Sequence, residues 1–403
     1  MDDCFPDLAA SDAACLLTAL PQMNIRAEMT NKETFDKLLD RVLSHSVATG
    51  ASDIHASVGE SIHYRIEGQL SAESFPELPQ DRFTNEAAAA FANSILTDDQ
   101  QFQLKTRGSV DGALSLDQEH RFRFNVFRRG NETCFAFRRL ANTVPSLNQL
   151  GLSERLYGLC DLTDGLVLVA GPTGSGKSTT IASMIDRINQ TRSCHIITIE
   201  DPVEFIHRSD QALVNQRQVG TDVESFSQAL QDAVRQDPDV ILVGELRDLE
   251  TIRTAITAAE TGHLVFASVH AGDCKTAIER LIGAFSPEEQ DLAQRLVATV
   301  LRTVIVQHLL SSRPHPNREQ DYKPTRVLAS EVMHVNSAIS NLIASSSLNQ
   351  IASIIQTSGD EGMWTLDDSL ARLWRTRLIS EQTARSLARS PEILAQISRR
   401  NRA

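Results

Sequence analysis

The sequence predicts an α/β protein in two parts: an α+β domain first, then a core of alternating strands and helices with further helices at the C-terminal end. Three observations carry this. Arg121–Phe127 and Cys134–Arg138 alternate apolar and polar residues with period two, on either side of Arg129-Gly130-Asn131, which is the pattern of a β-hairpin. From Gly165 onward, short apolar runs alternate with helical stretches, as buried parallel strands do in βαβ units. From Ser337 to the end the pattern is mostly helical, with Trp364 and Trp374 on one segment.

Taken in order, residues 1–30 carry little pattern and read as an extension or a partner-binding arm. A first domain is expected over residues 31–144. In it Phe35, Leu38, Leu39, Val42 and Leu43 share one helix face, Ile62–Ile66 alternates as a strand running into a Glu67-Gly68 turn, and residues 83–98 look helical. Residues 145–155, with Pro145-Ser146 and Leu147–Leu152, form a connector. The core is expected over residues 156–333. Its strands are Gly165–Ala170, His195–Ile199, Val240–Val243 and His263–Val269. Its helices start at Lys177 and lie near Phe226–Arg235 and Leu249–Ala259. Residues 287–310 read as one helix, apolar over much of its surface, and residues 334–403 as a helical region.

Composition narrows the function. The chain has 403 residues, 41% hydrophobic and 23% charged, which is ordinary for a globular protein. Its formal net charge of −13 argues against a broad basic footprint, so no nucleic-acid partner is expected. Cys4, Cys15, Cys134, Cys160, Cys194 and Cys274 form no CxxC pair, which leaves out a zinc ribbon or a thioredoxin-type motif and suits reduced thiols. No run approaches the roughly 20 apolar residues of a membrane span, and the acidic start lacks the positive region of a signal peptide. The expectation is a cytoplasmic protein that meets a membrane only through partners.

The strongest motif is Gly171-Pro172-Thr173-Gly174-Ser175-Gly176-Lys177-Ser178, followed by Thr179. It matches GxxxxGK[ST], follows an apolar strand and opens a helix, which is the context a phosphate loop requires. Glycines let successive N–H groups wrap phosphate oxygens, and the helix N-terminus adds partial positive charge. Lys177 is placed to reach the outer phosphates of ATP, and the Ser178 hydroxyl to ligate Mg²⁺. Asp239–Glu245 is a second apolar strand with an acidic end. A carboxylate there sits where ligands of open α/β sheets bind. Glu245 is therefore a candidate to hold Mg²⁺ or its water, the bland alternative being a helix-capping acid.

Further motifs then follow in order: Ile199-Glu-Asp-Pro-Val-Glu204-Phe205, Val214-Asn-Gln-Arg217, Asp237–Asp248, Ala259–His263 and Ser268-Val-His270. Together these resemble the secretion-superfamily ATPases, and most closely their type IV pilus retraction branch, with the type IVB secretion and conjugation branch near it. The resemblance spans about residues 34–380 and is densest from Gly165 to Leu310. It implies a PAS-like N-terminal domain, a RecA-like P-loop core, a homo-hexameric ring and a partner in an inner-membrane platform protein of a pilus or secretion system. It further implies that Glu204 polarises the attacking water, that Asp201 belongs to the same acidic box, and that His263 and His270 sense the γ-phosphate. Arg123 and Arg138 match arginines that clamp the nucleotide from the N-terminal domain. Without the resemblance, the histidines read as satisfied core groups and the arginines as exposed strand residues. Two departures stand out. His270 is followed by Ala-Gly-Asp-Cys274 where the family has a Thr-rich stretch. Ser337–Ile343 resembles a signature tied to retraction, but Ser340 stands in place of an arginine, and Ala344 and Ser345 in place of a basic-acidic pair. Two other classes, a nucleic-acid-translocating RecA-like motor and a non-hydrolysing nucleotide-gated scaffold, are the competing readings.

Overall fold

A computed structural model describes residues 35, 37–66, 68–117, 120–140, 143–313, 326–390 and 392; the expected extension over residues 1–30 lies outside them. The chain divides into two compact units, Met1–Asn142 and Thr143–Ala403. Among the described residues no helix is long and apolar enough to cross a bilayer.

The first unit is α+β. Helix α1 (residues 37–49) buries Leu38, Leu39, Val42 and Leu43. Strands β1 (Asp53–Ala56), β2 (Ile62–Ile66) and β3 (Gln69–Glu73) follow, then helices α2 (Asn85–Ile95) and α3 (Asp98–Arg107). Strands β4 (Ser109–Ser115), β5 (Arg121–Arg129) and β6 (Glu132–Arg139) complete an antiparallel sheet of order β3-β2-β1-β6-β5-β4. Its core is aromatic: Phe83 and Phe135 each meet Phe91 edge to face, at 5.1 and 5.7 Å between centroids. The helix expected over residues 83–98 is α2, which ends at Ile95, and α3 begins only at the far edge of that range. Leu96 is extended and buried, and Thr97 starts the next helix with a capping box, its hydroxyl accepting from the Gln100 N–H while the Gln100 side chain returns to the Thr97 N–H.

The second unit is built on β7 (Gly165–Ala170), α4 (Lys177–Thr191), β8 (His195–Glu200), β9 (Leu213–Gln218), α5 (Phe226–Ala233), β10 (Val240–Val243), α6 (Leu249–Glu260) and β11 (Leu264–Val269). Then come α7 (Cys274–Gly283), α8 (Gln290–Val300), β12 (Leu301–Ser311) and β13 (Arg326–His334). The sheet order is β13-β12-β7-β11-β10-β8-β9; every pair is parallel except β12 with β13. One face packs on α5 to α8 and the other on α4 with Leu147, Leu152 and Leu156.

The helix expected over residues 287–310 is a correction: α8 stops at Val300 and β12 takes the rest. An apolar run bounded on both faces looks the same whether it is a buried helix or a buried strand. Here the β-branched Thr303-Val304-Ile305-Val306 decides for a strand wedged between β7 and β13. The C-terminal helices are α9 (Ser337–Ala344), α10 (Ile351–Thr357), α11 (Leu366–Arg375) and α12 (Glu381–Leu387). The tryptophans part company: Trp374 is on α11, whereas Trp364 precedes it, bridges to Val332, and donates its indole N–H to the Ser330 hydroxyl at 3.2 Å.

Candidate active site

The chain leaves β7 at Gly171, where φ is +145° and a Cβ would lie 2.4 Å from the Gln307 carbonyl and 2.5 Å from the Ser175 hydroxyl. Only glycine fits both the angle and the space. Gly174 and Gly176 also take positive φ, and α4 begins at Lys177 with no side chain capping its first turn. Those helix-terminal N–H groups are left for an anion. The Lys177 ammonium folds back onto the loop, donating to the carbonyls of Gly171 (3.0 Å) and Pro172 (3.1 Å). Burial pulls its pKa down, and the carboxylates of Glu245 and Glu204 oppose that.

Neighbouring strand ends bring the acids. Glu200 ends β8, and Glu245 lies just past the adjacent strand β10. Glu245 accepts from Arg247 Nε at 2.7 Å and lies 3.1 Å from His270 Nε2, which follows β11. Arg247 also faces Asp201 at 3.8 Å. A cavity of about 270 Å³ gathers Lys177, Ser178, Glu200, Glu204, Glu245 and His270. A second, of about 950 Å³, shares the stretch from Gly174 to Thr180 and Glu204, and runs out to Leu150, Leu309, Arg372, Thr376 and Leu378. The buried Gln307 carboxamide donates to the Thr180 hydroxyl at 2.6 Å. Its Oε1 and the Ser175 hydroxyl, both beside the phosphate loop, have no hydrogen-bond partner among the described residues.

Of the residues singled out in the sequence, those from Gly171 to Thr179, with Glu204, Glu245 and His270, thus surround one phosphate loop. His263 does not join them within one chain. It stands before β11 whereas His270 stands after it, six strand residues or roughly 20 Å away. Its Nδ1 makes local contacts instead, 2.9 Å from the Ala258 carbonyl and 3.3 Å from the Thr261 hydroxyl. Arg123 and Arg138 belong to the first unit, where they sit directly opposite each other on β5 and β6. Asp111 lies 3.9 Å from Arg123, and Arg138 Nε bonds Asp53 at 2.7 Å. Burial raises the Asp53 pKa, but the Ser52 hydroxyl and the Arg138 charge outweigh it and hold the carboxyl below its ordinary value.

Sequence reasoning passed over Glu200 and His207. Glu200 obeys the same strand-end rule that picked Glu245; burial pushes its pKa up, against hydrogen bonds from Thr198 and Gln216. His207 also lines the smaller cavity, and burial drops its imidazole to about 4. Gln307, Arg372 and Thr376 carried no local signal at all.

A sequence profile described as type II/IV secretion system protein matches residues 28–370. The chain belongs to this family. It is an ATPase of the kind that serves type IV pilus and secretion machinery. It is 40% identical over 354 residues to the type IV pilus retraction ATPase PilT of Pseudomonas aeruginosa, covering 88% of this chain and 99% of that one. It is 38% identical to a twitching motility protein of Neisseria gonorrhoeae, over 82% of this chain and 85% of that one. Among solved structures it resembles the pilus retraction motor PilT with bound ADP, at TM-score 0.80 and 38% identity, covering 89% of this chain and 98% of that one. The DotB ATPase of Legionella pneumophila superposes with TM-score 0.74 at 25% identity, over 87% and 94% of the two chains. This secretion ATPase therefore binds nucleotide.

Proposed function

We propose that the chain is a homo-hexameric motor that hydrolyses Mg-ATP to drive a type IV pilus or a type IVB secretion or conjugation apparatus. It works from the cytoplasmic face of the inner membrane, docked on a membrane platform protein. The observation that carries the chemistry is the convergence of Lys177, Ser178, Glu204, Glu245 and His270 on one cavity. The similarity to a pilus retraction ATPase over nearly the whole chain supports the output. We read the first unit as PAS-like and the second as RecA-like.

The roles follow from position. Loop amides and Lys177 neutralise the β- and γ-phosphates, and Gly171 lets the backbone approach them. The residues fit a magnesium site: the Ser178 hydroxyl and the Glu245 carboxylate line the same cavity. No three His, Cys, Asp or Glu among the described residues are grouped so that they alone could hold a metal ion, and Mg²⁺ needs no such group, because it keeps waters and takes phosphate oxygens. Bound there, the ion would supply charge for the leaving diphosphate. Glu204 lines both cavities, which supports assigning it to orient the attacking water. The water oxygen bonds phosphorus as the bridging P–O bond breaks; that bond's electron pair leaves with ADP, and the water's proton passes to the released phosphate. His270 stays at the γ-phosphate side through Glu245. The larger cavity, with apolar Leu150, Leu309 and Leu378, is the place for the nucleoside. Arg123 and Arg138 are assigned to neutralising transition-state charge on the nucleotide. Ser340 and the Ala-Gly-Asp-Cys274 run support a secretion or conjugation output as well as retraction.

The test is ATP turnover and elution volume of purified protein, with Lys177→Ala and Glu204→Ala beside wild type. Wild type should elute as a hexamer with Mg-dependent turnover, unaffected by DNA. Lys177→Ala should lose nucleotide binding. Glu204→Ala should bind ATP and turn over at least about 100-fold more slowly. Full turnover in Glu204→Ala would move the catalytic carboxylate elsewhere, Glu200 being next. Binding without turnover in wild type would favour a nucleotide-gated scaffold, and stimulation by DNA a translocating motor.

A further inference from the structure

We propose that Arg389, from the C-terminal segment, is a positioning residue of the ATP site that fixes the loop carrying His270. The proposal rests on the reading of His270 as a γ-phosphate group given above.

His270 closes β11, and residues 271–273 lead from it into α7. A side chain at a strand end is only as well placed as the loop behind it, and misplacement of about 1 Å is costly to catalysis. This loop is gripped at both ends from far along the chain. Arg389 Nη2 donates to the Gly272 carbonyl at 3.2 Å. Arg389 Nη1 donates to Glu331 Oε2 at 2.6 Å. The other oxygen of Glu331, on β13, accepts from the Cys274 N–H at 2.9 Å. One guanidinium and one carboxylate thus bracket Gly272 and Cys274. His308 Nε2 stands 3.4 Å from the same Gly272 carbonyl, and Arg280 donates to the His270 carbonyl at 3.2 Å.

Stability alone does not explain this reach. The start of α7 already has its own cap, Asp273 accepting from the Thr276 N–H at 2.6 Å. The chain around residue 389 has its own anchor too. Asp367 on α11 accepts from the N–H groups of Arg389 (3.0 Å) and Ser390 (3.1 Å). The Arg389 side chain is therefore free to do a separate job: one arm reaches the loop behind His270, and the other holds Glu331, which accepts from the Cys274 N–H. Glu331 is 2% exposed, and the Arg389 guanidinium is paired with it in that buried place. The arrangement couples the C-terminal segment to the residue facing the γ-phosphate.

The experiment compares kcat, KM for ATP and thermal midpoint in the full chain. The variants are Arg389→Ala, Arg389→Lys, and Arg389→Ala combined with Glu331→Gln, with His270→Ala alongside. Arg389→Ala should lower kcat about tenfold or more and leave KM within about twofold, because the phosphate loop is untouched. The double variant removes the unpaired buried charge, so its thermal midpoint should return towards wild type while kcat stays low. Arg389→Lys, with charge but no fork, should recover part of kcat. If Arg389→Ala fails to fold, the double variant carries the comparison. Wild-type kcat in Arg389→Ala, or kcat recovering together with the midpoint in the double variant, overturns the proposal while an inactive His270→Ala leaves the site reading intact. Full turnover in His270→Ala overturns that reading and this proposal with it.

Discussion

At the scale of single residues, space and solvation decide what each group can do. Gly171 has no room for a methyl group, since a Cβ would meet the Gln307 carbonyl and the Ser175 hydroxyl inside van der Waals distance. Gly171→Ala should therefore displace the phosphate loop and lower ATP affinity by at least about tenfold, read by titration with a fluorescent nucleotide; unchanged affinity would mean that β12 yields instead. His207 gives a pH signature. Its folded pKa of about 4 lies below the ordinary 6.5. The unfolded chain therefore takes up a proton first as pH falls. The stability owed to the neutral ring is complete above 6.5 and drains away between 6.5 and 4. Going from pH 7.5 to 5.5 should cost wild type roughly 1 kcal/mol more than His207→Gln, by urea midpoints. Equal losses in the two proteins would show that the ring is charged when folded. Lys177 and Ser178 were legible in the sequence because the loop's chemistry is written in eight consecutive residues. Arg389 was not, because its partners Gly272 and Glu331 lie 117 and 58 positions away.

At the scale of elements, legibility followed how local the deciding force is. The hairpin of β5 and β6 shows a clean alternation because one face is buried and the other is not. The parallel strands β7, β10 and β11 read as short apolar runs between turn residues. β12 misled because its apolar residues serve a buried position between two strands, and nothing in the run itself reports those neighbours. β3 escaped notice for the opposite reason: it lies at a sheet edge, mostly exposed, and has no apolar face to announce it. Ser340 shows how a departure from family pattern can be a packing matter. Its hydroxyl donates to the Ala298 carbonyl at 2.8 Å, tying α9 to α8 where an arginine would have to turn away. Helix caps give the prediction at this scale. Asp248 accepts from both the N–H and the hydroxyl of Thr251, at 2.8 Å each, and so starts α6 three residues after Glu245. Asp248→Ala should cost about 1 to 2 kcal/mol of stability, and Asp248→Asn less, by urea unfolding. Equal losses in the two variants would mean the charge, not the cap, is what α6 needs.

At the scale of the whole molecule, the phosphate loop and the paired arginines are carried by separate units of one chain. Arg123 and Arg138 stand side by side on adjacent strands, a juxtaposition of like charges that Asp111 and Asp53 only partly offset. Two arginines presented at opposed positions of adjacent strands suit a triphosphate supplied from elsewhere. In a ring, that nucleotide belongs either to the same chain or to its neighbour, and complementation separates the two. The Lys177→Ala variant keeps its arginines and loses its phosphate loop. The Arg123→Ala, Arg138→Ala variant keeps its loop and loses its arginines. Each alone should be nearly inactive. Mixed one to one and reassembled, arginines acting across the subunit boundary would rebuild about a quarter of the sites with both parts intact. Turnover should then rise well above that of either variant, and fall again when the preformed rings are mixed without subunit exchange. Arginines acting within their own chain rebuild no complete site in any mixture, so turnover that stays at the level of the separate variants after proven exchange would show that each chain's arginines serve the nucleotide of that same chain.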